Sequence, residues 1–170
     1  MPGDERALIV TLLLAEQAKA RFDRLRAEHF PVERNHLAAH VTLFHALPGE
    51  QRPAVDAALA VAAARPPFDV EVTGLQLLGR GVAYRLRSGE LSALHAGLAA
   101  EFDPWLTRQD RQRLSPHVTV QNKVEPAVAR ELYDRLAAGF TPSSVPARGL
   151  GLWRYLGGPW EPLSEHPFAG

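Results

Sequence analysis

Two short stretches, His40-Val41-Thr42-Leu43 and His117-Val118-Thr119-Val120, decide how this 170-residue chain is interpreted. Both follow the pattern histidine, apolar residue, threonine, apolar residue. Side chains alternate between the two faces of a β-strand, so an extended stretch of this kind places an imidazole and a hydroxyl on one face. The two aliphatic side chains then lie on the other face. Each stretch therefore predicts a strand with one polar face and one face that packs into a core.

The segments around the two stretches follow the same order. A strand at residues 7–14, a helix at 16–29 and a strand at 39–47 surround the first stretch, and a strand at 82–87, a helix at 90–102 and a strand at 117–124 surround the second. Leu8 precedes His40 by 32 residues, and Val82 precedes His117 by 35. The recurrence predicts a duplicated α/β chain. The remaining segments are predicted as a helix at 50–64, a strand at 68–78, a helix at 125–138 and a terminal hairpin of strands 152–156 and 160–163.

Composition excludes several classes of protein. The chain has no cysteine, which excludes a disulfide framework, a thiol nucleophile and a cysteine-ligated metal. Nineteen basic residues balance nineteen acidic ones, so a protein that coats long nucleic acids without specificity is not expected. Seventeen of the basic residues are arginine, a residue type suited to bidentate recognition of phosphate.

The length predicts a single domain over residues 1–170. The apolar run at residues 7–15 is about half the length that a membrane span requires, and Asp4 and Glu5 precede it, unlike the basic start of a signal peptide. We therefore expect a soluble, cytoplasmic protein that does not bind membranes. We also expect a monomer.

Two imidazoles directed at one cleft suit general acid–base catalysis. An ordinary histidine has a pKa near 6.5, so near neutral pH one ring can accept a proton while the other donates one. The hydroxyls of Thr42 and Thr119 could donate hydrogen bonds to the oxygens of a phosphate held between His40 and His117. In-line displacement at phosphorus needs the attacking and leaving oxygens on opposite sides, which two related halves supply. This chemistry requires no metal and no cofactor.

The paired motif, one copy in each half of a duplicated chain, resembles the two-histidine (2H) phosphoesterase superfamily, the group of 2′-5′ RNA ligase-like proteins and RNA 2′,3′-cyclic phosphodiesterases. The resemblance covers essentially the whole chain. It implies an α+β fold of two lobes related by a pseudo-two-fold axis, with two mainly antiparallel sheets flanking a central cleft and helices outside. It implies that His40 and His117 are catalytic and that Thr42 and Thr119 bind phosphate.

The resemblance also implies a substrate. Members act on RNA termini or nucleotides that carry a 2′,3′-cyclic phosphate or a 2′-5′ linkage. Hydrolysis and reversible 2′-5′ ligation are both known in the group. Many relatives have an arginine shortly after the second motif, where this chain has Gln121-Asn122-Lys123.

Weaker candidates lie outside the paired motif. Gln121 and Lys123 would face the same side as the second histidine if that strand continued to residue 124. Tyr84 could stack on a base or pack into the core. Arg154, in the terminal hairpin, could contact phosphate or remain a surface cation. His45 has the opposite parity to the first histidine and is expected to be structural or to lie at the end of the strand.

Two other interpretations remain open. His36, His40 and His45 are close in sequence and could hold a metal ion, although the segment does not have the helical His-Glu-x-x-His pattern of zinc enzymes. The second alternative is a protein that binds RNA ends or nucleotides without turnover. No Gly-x-Ser-x-Gly or P-loop pattern supports a serine hydrolase or an ATP-driven ligase.

Overall fold

The computed structural model describes residues 4–170 and shows an α+β fold of four α-helices and seven strands. In chain order the elements are β1 (Leu8–Leu14), α1 (Glu16–His29), β2 (Val41–Leu47), α2 (Arg52–Ala62), β3 (Phe68–Leu77), β4 (Val82–Arg87), α3 (Gly89–Glu101), β5 (His117–Gln121), α4 (Pro126–Ala138), β6 (Ser143–Tyr155) and β7 (Trp160–Pro167). Three short 3₁₀ turns lie at Val32–Arg34, Gly49–Gln51 and Asp103–Trp105.

Local sequence explains where most of these elements begin. All seven residues of the apolar run in β1 are buried, as expected for a strand covered on both faces. The Ser88 side chain accepts a hydrogen bond from the Leu91 backbone N–H and caps the start of α3. Prolines in the first turn favour the starts of α2 and α4.

All strands pair antiparallel in one hydrogen-bonded sheet of order β2-β1-β6-β3-β4-β5, with β7 added to β6. Two sheets were expected, and the single sheet results from the length of β6. One edge of β6 pairs with β1, while its other edge pairs first with β3 and then with β7. Because β6 belongs to both parts of the sheet, hydrogen bonding is continuous from β2 to β5.

The duplicated order of elements is visible in the topology. The β1-α1-β2 segment places its second strand at one end of the sheet order, and the β4-α3-β5 segment places its second strand at the other end. Residues of β2 and β5 nevertheless contact each other, so the sheet curves until its two ends meet. Both motif strands therefore lie where the two ends of the sheet approach each other.

Strand β6 is much longer than the strand predicted at residues 152–156, although it contains prolines and glycines. Pro146 lacks an N–H, but its carbonyl accepts the Ala15 N–H at 2.9 Å. Gly149 is required for close packing rather than for a turn, since a Cβ at this position would lie 2.7 Å from the His166 carbonyl oxygen.

The core lies between the sheet and the helices and is rich in aliphatic side chains with a few aromatic rings. Phe44 of β2 packs edge-on against Phe102, with ring centroids 5.3 Å apart, and Phe22 of α1 is also fully buried. Among the described helices, none combines the length and the apolar composition needed to cross a bilayer.

Candidate active site

The two motif histidines occupy equivalent places at the ends of the sheet. His40 immediately precedes β2, and His117 is the first residue of β5. Both side chains are partly exposed, as are Thr42 and Thr119, two residues after each histidine. The apolar positions of both motifs are buried, at 0–2% exposure for Val41, Leu43, Val118 and Val120. This alternation gives each motif the polar and apolar faces that its sequence predicted.

The two imidazole rings make the same backbone contact. The Nδ1 atom of His40 lies 2.8 Å from the carbonyl oxygen of Ala38, and Nδ1 of His117 lies 2.9 Å from the carbonyl oxygen of Ser115. A carbonyl oxygen only accepts hydrogen bonds, so each Nδ1 carries the hydrogen. In the neutral ring Nε2 then keeps its lone pair and is free to accept a proton.

The environment of His40 disfavours its charged form. Loss of solvation lowers the pKa of His40 to about 4, although the hydrogen bond to Ala38 opposes the shift. The positive charges of Arg26, His117 and His45 lower this pKa further. The second motif histidine is thus one of the groups whose charge acts on His40.

A cavity of about 330 Å³ lies beside His40. The indole ring of Trp160 forms one wall, with its centroid 4.6 Å from that of the His40 ring and the two planes tilted by 54°. Lys19, His36 and Trp153 also line the cavity, whereas His117 does not. The cavity thus combines aromatic surface with charged groups of both signs, since Glu16 and Glu165 also line it.

The second motif has a different neighbour. Sheet register places Arg85 of β4 opposite His117, and Ala83 opposite Thr119. Directly opposed residues share a face of the sheet, so the exposed Arg85 side chain projects on the same side as His117. No local sequence signal identifies Arg85, because only the register of β4 against β5 places it beside His117.

The two weaker candidates that follow the second motif have different surroundings. Gln121 ends β5 and is 4% exposed, and its side-chain Oε1 has no hydrogen-bond partner among the described residues. Lys123 was expected to continue the strand, but it lies in a turn with a φ of 65° and an exposed side chain. The Asn122 side chain accepts the Lys123 N–H at 2.9 Å and stabilises this turn. Strand parity therefore does not orient Lys123.

Tyr84 lies on the other face of the sheet from the second histidine. It is opposite the buried Val118 in the register of β4 and β5. Its ring packs against Phe22 of α1 at 5.5 Å and against Phe140 at 6.3 Å, and burial raises the pKa of the phenol. These contacts agree with core packing, one of the two roles expected for Tyr84. The structure does not bring Tyr84 together with His117.

Arg154 is not a surface cation, which corrects one of the two expectations for it. Its side chain is 6% exposed and donates to the carbonyl oxygens of Asp4 at 2.9 Å and Arg6 at 3.3 Å. Asp4 and Glu161 carboxylates lie 3.6 and 3.8 Å away. Arg154 therefore ties the start of the described chain to β6 and is engaged by protein groups.

His45 is bound by a buried carboxylate in the loop before β5. Its backbone N–H and its Nδ1 both lie 2.9 Å from the Asp110 carboxylate, which also accepts the Ala46 N–H at 3.0 Å. Within residues 4–170 no group of three His, Asp or Glu side chains has a metal-binding arrangement. Hydrogen bonding to Asp110 accounts for the position of His45.

Comparison with protein families gives one match that covers most of the chain. The sequence profile of the 2′-5′ RNA ligase superfamily matches residues 14–159, which include both motifs. No curated protein is similar enough in sequence to serve as a relative.

Several solved structures share the fold at low sequence identity. TT0787 of Thermus thermophilus is 19% identical with a TM-score of 0.68, over 96% of this chain and 98% of that one. Escherichia coli LigT complexed with 3′-AMP is 20% identical with a TM-score of 0.64, over 98% of this chain and 100% of that one. LigT complexed with ATP has a TM-score of 0.61 at 20% identity, over the same shares of the two chains. Because the family profile matches most of the length of this chain, the chain belongs to the 2′-5′ RNA ligase superfamily.

Proposed function

We propose that this protein is a phosphoesterase that acts on a 2′,3′-cyclic phosphate or a 2′-5′ linkage of RNA or a nucleotide, with His40 and His117 as its acid–base pair. One observation carries the proposal. The two histidines occupy equivalent points of the duplicated topology, and each has its Nδ1 hydrogen-bonded to the carbonyl oxygen two residues earlier. Two unrelated structural histidines would not be expected to make the same backbone hydrogen bond at equivalent positions of the topology.

Hydrolysis of a cyclic phosphate by this pair requires no further reactant than water. One imidazole accepts a proton from the attacking water as the new P–O bond forms. The other imidazole donates a proton to the ribose oxygen as the old P–O bond breaks. In the ligand-free protein His40 is neutral at pH 7, because its pKa is lowered to about 4, and it is therefore ready to accept a proton. The reverse reaction exchanges the two roles.

The charge that develops on the phosphate needs hydrogen-bond donors and cations. Thr42 and Thr119 each lie two residues beyond a histidine, and their hydroxyls can donate to the non-bridging oxygens. Arg85 adds a guanidinium beside His117. This arginine takes the role of basic contact for which the sequence after the second motif offered only Lys123.

The cavity beside His40 supports a nucleoside as part of the substrate. Its volume of about 330 Å³ and its Trp160 wall suit a stacked base. LigT, which has the same fold, has been crystallised with 3′-AMP and with ATP. A short RNA end or a mononucleotide therefore fits this site better than a long duplex.

The direct test is a turnover assay with a panel of 2′,3′-cyclic mononucleotides and 2′-5′-linked dinucleotides, in the presence of EDTA. We expect wild-type protein to convert at least one of these substrates, with no loss of rate on chelation. His40→Ala and His117→Ala should remain folded by circular dichroism and still bind the substrate, but should not convert it. Equal binding by all three proteins with no turnover would favour the non-catalytic, RNA-end-binding alternative.

A further inference from the structure

One buried arginine connects the two motifs. Arg26 of α1 is 4% exposed, and its guanidinium donates to three oxygens: Asn35 Oδ1 at 3.2 Å, the Leu37 carbonyl at 3.2 Å and the Thr119 carbonyl at 2.9 Å. Leu37 belongs to the segment that leads into His40, and Thr119 belongs to the second motif. A single side chain therefore holds the backbone of both halves of the site.

The same helix makes a second contact with the approach to the first histidine. The Asp23 carboxylate accepts the Ala39 backbone N–H at 2.6 Å, one residue before His40. Its other oxygen pairs with Lys19 at 2.8 Å. Because α1 also packs along β5, its Asp23 and Arg26 side chains clamp the His40 segment against the second motif strand.

The other half contains a corresponding contact. His95 of α3 is 7% exposed, and its Nε2 lies 3.1 Å from the carbonyl oxygen of Leu43, the last residue of the first motif. The ring stacks on Phe44 at a centroid distance of 4.7 Å and an interplanar angle of 10°. Each helix of the repeated unit thus sends one buried polar side chain to a motif strand of the opposite half.

We propose that Arg26 and His95 are positioning residues, which brace the two motif strands across the pseudo-symmetric interface and so set the gap between His40 and His117. This proposal rests on the function proposed above. Backbone carbonyls inside a curved sheet need hydrogen-bond donors, and a donor anchored on the opposite half also fixes the distance between halves. Such bracing is required because a displacement of about 1 Å at an acid–base pair is costly for catalysis.

Arg26 has a second property that His95 lacks. Its guanidinium is buried, lies 4.3 Å from the centroid of the Phe30 ring, and is influenced electrostatically by Asp23 on the same helix. Burying this charge is costly unless its N–H groups find acceptors, and three oxygens accept them here. That charge is one of the causes that lower the pKa of His40, and it would also favour an anionic phosphate between the motifs.

Several other ionisable groups surround His40 and belong to the same electrostatic environment. From the neighbouring elements and segments they are Glu16, Lys19, His36, His45, His117, Arg148 and Glu165. Removing the Arg26 charge leaves all of these in place. Any change in the His40 titration can therefore be assigned by comparing Arg26 variants that keep and lose the charge.

The experiment compares Arg26→Gln, Arg26→Lys and His95→Gln with the control Arg24→Gln, an exposed arginine on the same helix. Two quantities are measured: kcat and KM for the substrate identified above, and the His40 pKa from the titration of its ring resonances by NMR. We expect both Arg26 variants and His95→Gln to lower kcat about 10-fold or more with a smaller change in KM. Arg24→Gln should leave both quantities unchanged.

The NMR titration distinguishes the electrostatic effect of the Arg26 charge from the effect of its hydrogen bonds on the position of the motif strands. Arg26→Gln should raise the His40 pKa, Arg26→Lys should leave it near the wild-type value, and His95→Gln should not move it. An unchanged kcat and an unchanged His40 pKa in Arg26→Gln would overturn the proposal. If the wild-type protein has no turnover, the proposed function fails, while the NMR titration still tests the Arg26 charge. If Arg26→Gln does not fold, Arg26→Lys and His95→Gln provide the test of the brace.

Discussion

The two motif regions have nearly the same local structure and very different surroundings. Around His40 there are a tryptophan wall, a cavity and a set of positive charges that lower the pKa of the imidazole. Around His117 there is an exposed arginine on the neighbouring strand and no part of that cavity. The comparison shows that two similar local motifs can have different electrostatic surroundings, because those surroundings come from residues outside the motifs.

Replacing either motif histidine tests whether both halves are required. We expect His40→Ala and His117→Ala each to lower the single-turnover rate at least about 10²-fold, because each removes one partner of the proposed acid–base pair. Rapid-quench measurements with a 2′,3′-cyclic nucleotide provide the rates. His29→Gln, on α1, is a matched control and should react normally. A variant that keeps full activity would show that only one half performs chemistry.

The buried carboxylate between the halves should have the largest effect on stability. Asp110→Ala leaves the His45 and Ala46 backbone N–H groups without their acceptor, and we expect a loss of about 2–4 kcal/mol in the free energy of unfolding. Urea denaturation measures this loss. Asp103→Asn, at an exposed surface pair, is the control and should cost less than about 1 kcal/mol.

The same carboxylate gives a pH dependence of defined sign. Burial opposes ionisation of Asp110, but hydrogen bonds from the ring and backbone of His45 and from Ala46 lower its pKa below the ordinary 3.8. Its stabilising contribution is therefore complete above this ordinary value and is lost as the pH falls through the lower folded-state pKa. The wild-type midpoint should fall more steeply than that of Asp110→Ala below pH 4. Parallel curves would contradict this assignment.

Removing the hydroxyl of each motif threonine tests whether the two halves contribute equally to phosphate binding. Thr42→Val and Thr119→Val keep the shape of the side chain and remove a donor, so each should lower kcat/KM about tenfold. Steady-state kinetics with the same substrate measure the effect. A large loss at one threonine and none at the other would mean that the phosphate binds to one half only.

The smallest expected effect belongs to the arginine of the second half. Arg85→Gln should raise KM severalfold and leave kcat nearly unchanged, because an exposed cation contributes about 1 kcal/mol or less to binding an anion. Raising the salt concentration should reduce the difference from wild type. Arg87→Gln on the same strand serves as the control. Equal KM values for wild type, Arg85→Gln and Arg87→Gln would show that Arg85 does not contribute to substrate binding.

The sequence contained enough information to predict the local elements near the motifs and too little to predict how they meet. Helix α1 was predicted with the bounds that the structure has, because its apolar spacing and flanking residues are unambiguous. The length of β6 was not, since Pro146 and Gly149 favour turns locally and only pairing with neighbouring strands overrides them. The roles of Arg26 and Arg85 were equally hidden, because both depend on contacts between segments far apart in the chain.

The proposed function requires that one phosphate binds between the imidazoles of both motifs. An NMR titration of the ligand-free protein with 2′-AMP or inorganic phosphate, followed through the ring resonances of His40 and His117, tests this arrangement directly. We predict that both rings shift along one saturation curve with a common midpoint, and that His117→Ala weakens the response of His40. Two curves with different midpoints, or a response confined to one ring, would show that the histidines belong to separate sites.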